Sequence, residues 1–95
     1  MSLGIVATLK IKPGREQEFE AIIAELVEKV CANEPGSQLY KLFRSQTEKS
    51  TCVVTEICDD AEALKVHQQS DHVCAAIPKL EAVFADSEFH FLDSV

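Results

Sequence analysis

The sequence predicts an α+β fold, in which an antiparallel β-sheet carries helices on one of its faces. The first observation behind this prediction is the alternation of apolar and polar residues in four segments, which is typical of strands. The second is the helical spacing of apolar residues in three other segments. The third is length, because 95 residues are too few for more than one small domain. The resulting order, β-α-β-β-α-α-β, is that of the ferredoxin-like or split βαβ arrangement, and we expect a single domain over residues 1–95.

The four predicted strands share a period of two and cover residues 3–12, 37–46, 51–58 and 88–93. The three predicted helices share apolar residues three and four apart and cover residues 15–33, 59–69 and 70–84. Pro13-Gly14 and Pro35-Gly36 mark the ends of the first strand and the first helix. The spacing of Asp59 and Glu62 resembles a capping box. Pro78 predicts a kink or irregular turn in the third helix, because proline cannot donate a backbone hydrogen bond.

The predicted strands are apolar on both faces. In the third strand Cys52, Val54 and Cys58 alternate with Val53 and Ile57. Helices cover only one face of such a sheet, and 95 residues leave nothing to cover the other. The sequence therefore predicts a homodimer in which a second copy of the chain covers that face.

Composition and charge exclude several classes of partner. Nine basic and sixteen acidic residues give a net charge of −7, which repels phosphate, so we expect no nucleic-acid partner and no binding to anionic membranes.

No apolar run approaches the ~18 residues that cross a bilayer. The N-terminus has no secretory pattern, and Met1-Ser2-Leu3 is compatible with a cloning remnant. We expect a soluble cytoplasmic protein.

The four cysteines are Cys31, Cys52, Cys58 and Cys74. Cys52 and Cys58 fall on one predicted strand, about 20 Å apart, which is too far for a disulfide. No Cys-x-x-Cys pair suggests a zinc or redox site. We expect reduced and mostly buried thiols.

The most informative motif spans the third strand and the following helix. It consists of Glu56-Ile57-Cys58-Asp59-Asp60-Ala61-Glu62-Ala63-Leu64, then His67, then Ser70-Asp71-His72-Val73. With Lys12-Pro13-Gly14-Arg15-Glu16 and Glu34-Pro35-Gly36-Ser37, it resembles the antibiotic biosynthesis monooxygenase (ABM) family. That family's pattern is roughly Glu-x-Trp, an acidic run, Ala-Leu, a His, then Ser-x-His. The resemblance covers nearly the whole chain in order and spacing.

This resemblance implies a dimeric ferredoxin-like α+β barrel, in which two sheets pack face to face. It also implies a monooxygenase that oxidises a quinol-like or other aromatic small molecule with molecular oxygen, without a metal or flavin cofactor. The family includes small isomerases, haem degraders and members with no assigned activity, because chemistry transfers less well than fold. Cys58 stands where the family has a Trp, and the first strand lacks the Asn of the haem degraders, which argues against haem cleavage.

His67 and Glu56 are the candidate catalytic residues. His67 follows Leu64 on an apolar helix face, and a histidine titrates in the range that suits a base for a phenolic substrate. Glu56 falls in an apolar strand, where a buried carboxylate needs a partner, and His67 and Arg44 are the candidates. Paired with His67, it would orient the ring. The alternatives are a structural histidine and a structural ion pair.

Four further residues are candidate substrate contacts: Cys58, His72, Tyr40 and Phe43. Cys58 would replace the aromatic wall of the family pocket, while Tyr40 and Phe43 would line that pocket or belong to the core. His72 lies in the first turn of a helix, where a capping or surface role is the alternative. No metal is predicted, because His67 and His72 are five residues apart and helical ligand pairs are four apart.

Three functions remain open from the sequence. The leading hypothesis is the cofactor-independent monooxygenase, with a pocket between helix 59–69 and the sheet that His67 faces. The second is a non-catalytic dimer of the same fold that binds a small ligand, which the missing Trp favours. The third is an isomerase of a small metabolite that uses His67 and Glu56 as acid and base.

Overall fold

A computed structural model describes residues 2–95 of the chain, so Met1 of the suggested cloning remnant lies outside the described residues. Its strands are β1 (Leu3–Ile11), β2 (Ser37–Arg44), β3 (Thr51–Cys58) and β4 (Phe84–Asp93). Its helices are α1 (Glu16–Asn33), α2 (Ala61–Gln69) and α3 (Asp71–Val83). The element order and the antiparallel sheet confirm the predicted ferredoxin-like α+β class.

The sheet has the strand order β2-β3-β1-β4, so β1 and β3 are central and β2 and β4 are edges. All three pairings are antiparallel. In the central pair Ile5 lies opposite Glu56, and Leu9 lies opposite Cys52. Because directly opposed residues share a face, this register places Glu56 on the same face as the most buried residues of β1.

The helices cover this face, and the core forms beneath them. One apolar face of α1 contributes Phe19, Ile23, Leu26 and Val30 to the core. The central strands contribute Ile5, Ala7, Leu9, Ile11, Cys52 and Val54. This is the pattern predicted from period-two strands and a single apolar stripe on the first helix.

Within residues 2–95, no helix or strand covers the opposite face of the sheet. Val6, Val53 and Ile57 are half-buried there, while Phe43 and Leu92 are exposed. The chain thus presents a second apolar surface, as the sequence predicted.

The structure differs from the prediction at the start of β4, at Pro78 and at the cap of α2. β4 begins at Phe84, directly after α3, and the centroid of the Phe84 ring lies 5.7 Å from that of Phe19 in the core. α3 runs through Pro78 as one helix. Asp60 and not Asp59 caps α2, by accepting the backbone N–H of Ala63 at 2.8 Å. Asp59 instead accepts a hydrogen bond from Gln38 at 2.7 Å, so the predicted capping box does not form.

The edge strand β4 carries the most exposed aromatic residues of the sheet. Phe89 and Phe91 are 54% and 60% exposed, although they lie opposite the buried Ala7 and Ile5. The helices therefore cover the sheet only as far as β1. Asp86, Glu88 and Asp93 are exposed along the same strand.

The thiols are all free, and they fall into two classes. Cys52 and Cys58 are buried, whereas Cys31 and Cys74 are exposed on α1 and α3. The expectation of mostly buried cysteines is therefore wrong for Cys31 and Cys74, which lie on the outer faces of their helices. Within residues 2–95, no helix is both long and apolar enough to cross a membrane.

Candidate functional site

The candidate site forms around Glu34, which follows the last residue of α1. Its side chain is only 5% exposed, and its backbone N–H donates to the carbonyl of Val30 at 2.9 Å. The C-terminus of a helix carries a partial negative charge, and the last turn of α1 has no basic residue. A carboxylate at this position therefore needs hydrogen-bond donors from elsewhere in the chain.

Two histidine rings contact this carboxylate. Nδ1 of His67 lies 2.8 Å from Oε1 of Glu34, and Nε2 of His72 contacts Oε2 of the same carboxylate. The break between α2 and α3 makes this possible, because Ser70 ends one helix and begins the next. The Ser70 hydroxyl donates to the carbonyl of His67 at 2.7 Å, which holds the break in place.

A close approach at Gly36 holds α2 over this carboxylate. A Cβ atom on Gly36 would lie 2.7 Å from Cβ of Ala63, which no side chain could accept without displacing the helix. The carbonyl of Gly36 also accepts the backbone N–H of Asp59 at 2.9 Å. Gly36 therefore allows α2 to pack closely, in addition to marking the end of α1 with Pro35.

Glu56 approaches the second ring nitrogen of His67. Its Oε1 lies 3.6 Å from Nε2, and its side chain is 13% exposed. Burial raises the pKa of Glu56, although the nearby His67 lowers it in part. The predicted juxtaposition of Glu56 and His67 is present, but the short hydrogen bond of the ring goes to Glu34. Arg44, the other partner considered for Glu56, pairs with Glu20 at 2.6 Å on the surface.

Tyr40, on β2, lies next to the cluster of Glu34, His67 and Glu56. Its ring centroid lies 5.4 Å from that of His67, at an interplanar angle of 50°. Burial raises the pKa of the Tyr40 phenol, and the carboxyl groups of Glu56 and Glu34 raise it further. The phenol is therefore a neutral hydroxyl at physiological pH, with a proton that it can donate.

Cys58 and Phe43 have contrasting positions. Cys58 lies on the same face of β3 as Glu56 and is 3% exposed. Burial raises the pKa of its thiol, and the carboxyl group of Glu56 contributes to the same effect. Phe43 lies on the uncovered face, 48% exposed and 5.5 Å from the ammonium of Lys41, so the structure does not bring Phe43 to the cluster.

His72 is neither a surface residue nor a cap of α3. Its side chain is 12% exposed and is bound to Glu34, so the sequence-based alternative is wrong. No group of three or more metal-binding side chains suited to an ion was found over residues 2–95.

An open groove lies between α1 and β2, with a volume of about 450 Å³. Tyr40 lines it, together with the apolar side chains of Ile23, Ala24, Val27 and Leu42 and with Glu20 and Lys41 at its rim. The sequence predicted a pocket between α2 and the sheet. The groove instead lies between α1 and β2. Tyr40 lines it and also contacts the His67 ring.

A comparison with known families decides the identity of the fold. The sequence profile of the family "Antibiotic biosynthesis monooxygenase" matches residues 2–79. The chain belongs to the ABM family. A Bacillus subtilis protein named "Putative monooxygenase YcnE" is 33% identical over 73 residues, which is 77% of this chain and 76% of that protein.

Solved structures agree with this ABM assignment. A Caulobacter crescentus protein, described as a "putative antibiotic biosynthesis monooxygenase", superposes with a TM-score of 0.96 at 39% identity, over 99% of this chain and 90% of that one. A conserved protein from Methanosarcina mazei superposes with a TM-score of 0.91 at 24% identity, over 97% and 91% of the two chains, which supports the fold alone.

In this ABM domain the sequence analysis identified His67, Glu56, His72 and Tyr40 but missed Glu34 as a member of the cluster. A signal for Glu34 was present, since an acidic residue at a helix C-terminus without a nearby base is electrostatically unfavourable. Such a position predicts donors from a distant segment, and His72 was a histidine to which the sequence analysis assigned no partner.

Proposed function

We propose that this ABM domain is a cofactor-independent monooxygenase that oxidises a quinol-like or other phenolic small molecule. The observation that carries the proposal is a buried imidazole between two carboxylates, beside a tyrosine that lines an open groove. His67 contacts Glu34 through Nδ1 and approaches Glu56 through Nε2, and the Tyr40 ring lies against it.

The groove between α1 and β2 suits a small aromatic substrate. Small-molecule sites have volumes of roughly 300–1,000 Å³, apolar walls and a few polar groups, and the groove has about 450 Å³ with mainly apolar walls. Tyr40 is the aromatic side chain of this groove, so it takes over the stacking that the family's Trp would give at the position of Cys58.

The proton of the bound phenol then passes to the polar cluster through the Tyr40 hydroxyl, which takes it up and gives its own proton to the cluster, because Tyr40 lines the groove and His67 and Glu56 do not. With Nδ1–H of His67 donated to Glu34, the Nε2 lone pair points towards Glu56 and forms with it a pair that accepts one proton. Deprotonation gives an electron-rich anion that reacts directly with molecular oxygen. One oxygen atom stays on the substrate carbon, and the other leaves as water with the two hydrogens that the substrate loses.

Oxygen consumption with a panel of naphthohydroquinones tests this proposal. We expect His67→Ala to lower the rate about 10²–10⁴-fold, because general bases contribute on that scale. Glu56→Gln should have a smaller effect, since the amide still contacts the ring. Gln68→Ala is the matched control, because Gln68 is exposed on the same helix, next to His67.

The outcomes separate the candidate functions. Normal turnover by a folded His67→Ala variant would contradict the role of His67, and unfolding of that variant would make the residue structural. Turnover of a substrate in the absence of oxygen would favour an isomerase. Absence of oxygen consumption over the whole panel would contradict the monooxygenase proposal.

A second candidate, a dimer that binds a small ligand without chemistry, is favoured by the burial of His67. The residue is only 8% exposed, and both ring nitrogens face carboxylates, which is also what a structural network requires. Saturable binding of a naphthoquinone with no oxygen uptake, unchanged in His67→Ala, would support this candidate.

We further propose that the working form is a cytoplasmic homodimer joined through the uncovered face of the sheet. Val6, Val53 and Ile57 on that face, with the exposed Phe43 and Leu92, form an apolar surface of the kind that interfaces bury. Sedimentation at micromolar concentration should give twice the chain mass of 10.5 kDa. A stable monomer would contradict the proposal, and Phe43→Lys should weaken the dimer if it is right.

A further inference from the structure

The groove between α1 and β2 has different chemistry at its two ends. Tyr40, Leu42 and Arg44 alternate along β2 and therefore share one face of the strand. It is the helix-covered face, because Arg44 lies opposite the buried Cys52 of β3. Tyr40 and Leu42 line the groove, and Arg44 is about 13 Å along the strand from Tyr40. The groove therefore runs from a phenol, past a leucine, to a guanidinium.

Arg44 reaches the groove through an ion pair with Glu20 of α1. Glu20 lines the groove, and Nη2 of Arg44 lies 2.6 Å from both oxygens of its carboxylate. The same two residues line an adjoining open cleft of about 370 Å³ at the start of α1, so the ion pair lies where the two spaces meet. The side chains of Arg44 and Glu20 are 61% and 33% exposed, and an ion pair this exposed is weak. A ligand can therefore compete for the guanidinium.

The hydrogen bonds at this meeting point favour an anionic ligand. Arginine has five N–H donors, and Glu20 is bound only by those on Nη2. Within residues 2–95, Nε and Nη1 of Arg44 have no hydrogen-bond partner in the chain. The two carboxylates of the cleft already have donors, because Glu16 accepts the Ser50 hydroxyl at 2.8 Å. Free donors beside occupied acceptors select a ligand that accepts hydrogen bonds and carries negative charge.

Two lysines lie nearby, but their positions differ from that of Arg44. Lys41 lines the groove, although its ammonium lies 5.5 Å from the centroid of the Phe43 ring, on the uncovered face of the sheet. Lys49 lines the adjoining cleft. Arg44 is therefore the one of these three whose cationic group lies at the end of the groove.

We propose that the substrate is a phenol that carries a carboxylate, and that Arg44 binds this carboxylate while Tyr40 contacts the phenol. The inference rests on the monooxygenase function proposed above and names its substrate class. The two polar groups of the substrate are separated by roughly 10 Å, and the apolar part between them packs on Leu42. The planar fork of arginine binds a carboxylate through two parallel hydrogen bonds. Arg44 is then a specificity residue, and Glu20 competes with the substrate for its guanidinium.

Binding of a matched pair of quinones tests the assignment without turnover. The probes are a naphthoquinone with a propionate chain on its quinone ring and the primary amide of that acid, which has a similar shape and no charge. Calorimetric titration of the wild type should give a Kd for the acid at least about fivefold below that for the amide. Arg44→Gln should abolish this preference. Arg44→Lys should keep part of it, because lysine retains the charge but not the fork.

Glu20→Gln gives the sharper result, because its expected effect has the opposite sign. Loss of the competing carboxylate should tighten binding of the acid at least about threefold and leave binding of the amide unchanged. The matched controls are Arg15→Gln and Glu18→Gln, which make the same changes of charge in another exposed ion pair of 2.6 Å. Neither control should alter the ratio of the two Kd values.

A measurement on the wild type alone needs no folded variant. The preference for the acid should fall as salt rises from roughly 0.02 to 0.5 M, because ions screen an exposed guanidinium. Binding of the amide should change little over the same range. A preference for the acid that is independent of salt would contradict recognition by Arg44.

A tether between α1 and β2 is the alternative role of the ion pair, and it predicts equal signs. Arg44→Gln and Glu20→Gln would each break the tether, so each would shift the binding of both probes in the same direction. That result would overturn the inference, as would equal Kd values for the acid and the amide in the wild type.

Oxygen consumption with the corresponding hydroquinones separates this inference from the proposed function. Turnover of the acid with a lower KM than the amide, together with a rise in KM alone in Arg44→Gln, would support both. Turnover with equal KM values would contradict the substrate class and leave the monooxygenase function intact. Tighter binding of the acid with no oxygen consumption would contradict the monooxygenase function and leave Arg44 as the residue that binds the carboxylate.

Discussion

The two ends of α1 are buried to a similar degree but by different chemistry. At its start Phe19 is fully buried and packs against Phe84. At its end, about 22 Å from Phe19 at the helical rise per residue, Glu34 is 6% exposed and contacts His67 and His72. We call these the apolar end and the polar end of α1.

The apolar end stabilises the fold through burial, whereas the polar end stabilises it little. Burial of an aromatic side chain contributes roughly 1.5–3 kcal/mol. A buried network of charged groups loses hydration that its mutual attractions only partly restore, and apolar residues of similar volume often stabilise a fold as well or better. The comparison teaches that the buried titratable groups of this domain lie at the polar end, while we expect its stability to come mainly from the apolar end.

The largest expected effect on stability is at the apolar end. Phe19→Ala should lower the free energy of unfolding by about 3–5 kcal/mol, because it removes a fully buried ring and leaves a cavity. Urea denaturation followed by circular dichroism measures the loss. The matched control is Phe89→Ala, whose ring is 54% exposed, and which should lose clearly less. Equal losses would show that this end does not dominate stability.

A smaller effect with a defined pH dependence is expected at the polar end. Burial raises the pKa of Glu56 above its ordinary value of 4.5, so the folded state binds this proton more tightly than the unfolded state. The contribution is favourable at low pH and is lost as the pH rises from about 4.5 through the folded pKa. Glu56→Gln removes this loss, so its stability relative to the wild type should increase with pH over that window.

Urea denaturation at a series of pH values measures this difference between variant and wild type. The control is Glu62→Gln, an exposed residue in the first turn of α2, for which we expect no such trend. A difference between Glu56→Gln and the wild type that is independent of pH, or that falls as the pH rises, would contradict the raised pKa.

The smallest effect concerns thiol reactivity and leaves stability unchanged. Cys52 lies near the apolar end and Cys58 near the polar end, and burial raises the pKa of both thiols. Both should react with a water-soluble maleimide at least about tenfold more slowly than the exposed Cys31 and Cys74, because a buried thiol reacts only after local opening. Mass spectrometry of timed samples gives the four rates. Fast labelling of Cys58 alone would show that the polar end is open to solvent.

The fold was largely predictable because its signals are local. The alternation of apolar and polar residues in β1 and β3, like the apolar stripe of α1, follows from the period of each element. It requires no information from segments distant in sequence. The start of β4 was missed because Phe84 continues the helical spacing of α3, although its ring packs against Phe19 in the core. Such a tertiary contact has no signature within the segment itself.

The site was predictable in its members but not in its connections. Glu56 and His67 were recognised from one continuous motif, and Tyr40 from its place on β2. Glu34 is distant in sequence from His67 and His72, and it meets them because α1, α2 and α3 end or begin at one place. Sequence spacing also could not show that Phe43 faces away from the cluster, because that requires the register of β2 with β3.

The exposed edge of β4 has a consequence for the behaviour of the chain in concentrated solution. An edge strand with two exposed phenylalanines is a template for pairing with other copies and for aggregation. Asp86, Glu88 and Asp93 lie along this edge, and the whole chain carries a net charge of −7. Two such edges repel each other at neutral pH, so these acidic residues act as gatekeepers against fibril-like association. That protection depends on ionised carboxylates and will weaken in acid or at high salt, where exposed Phe89 and Phe91 then govern solubility.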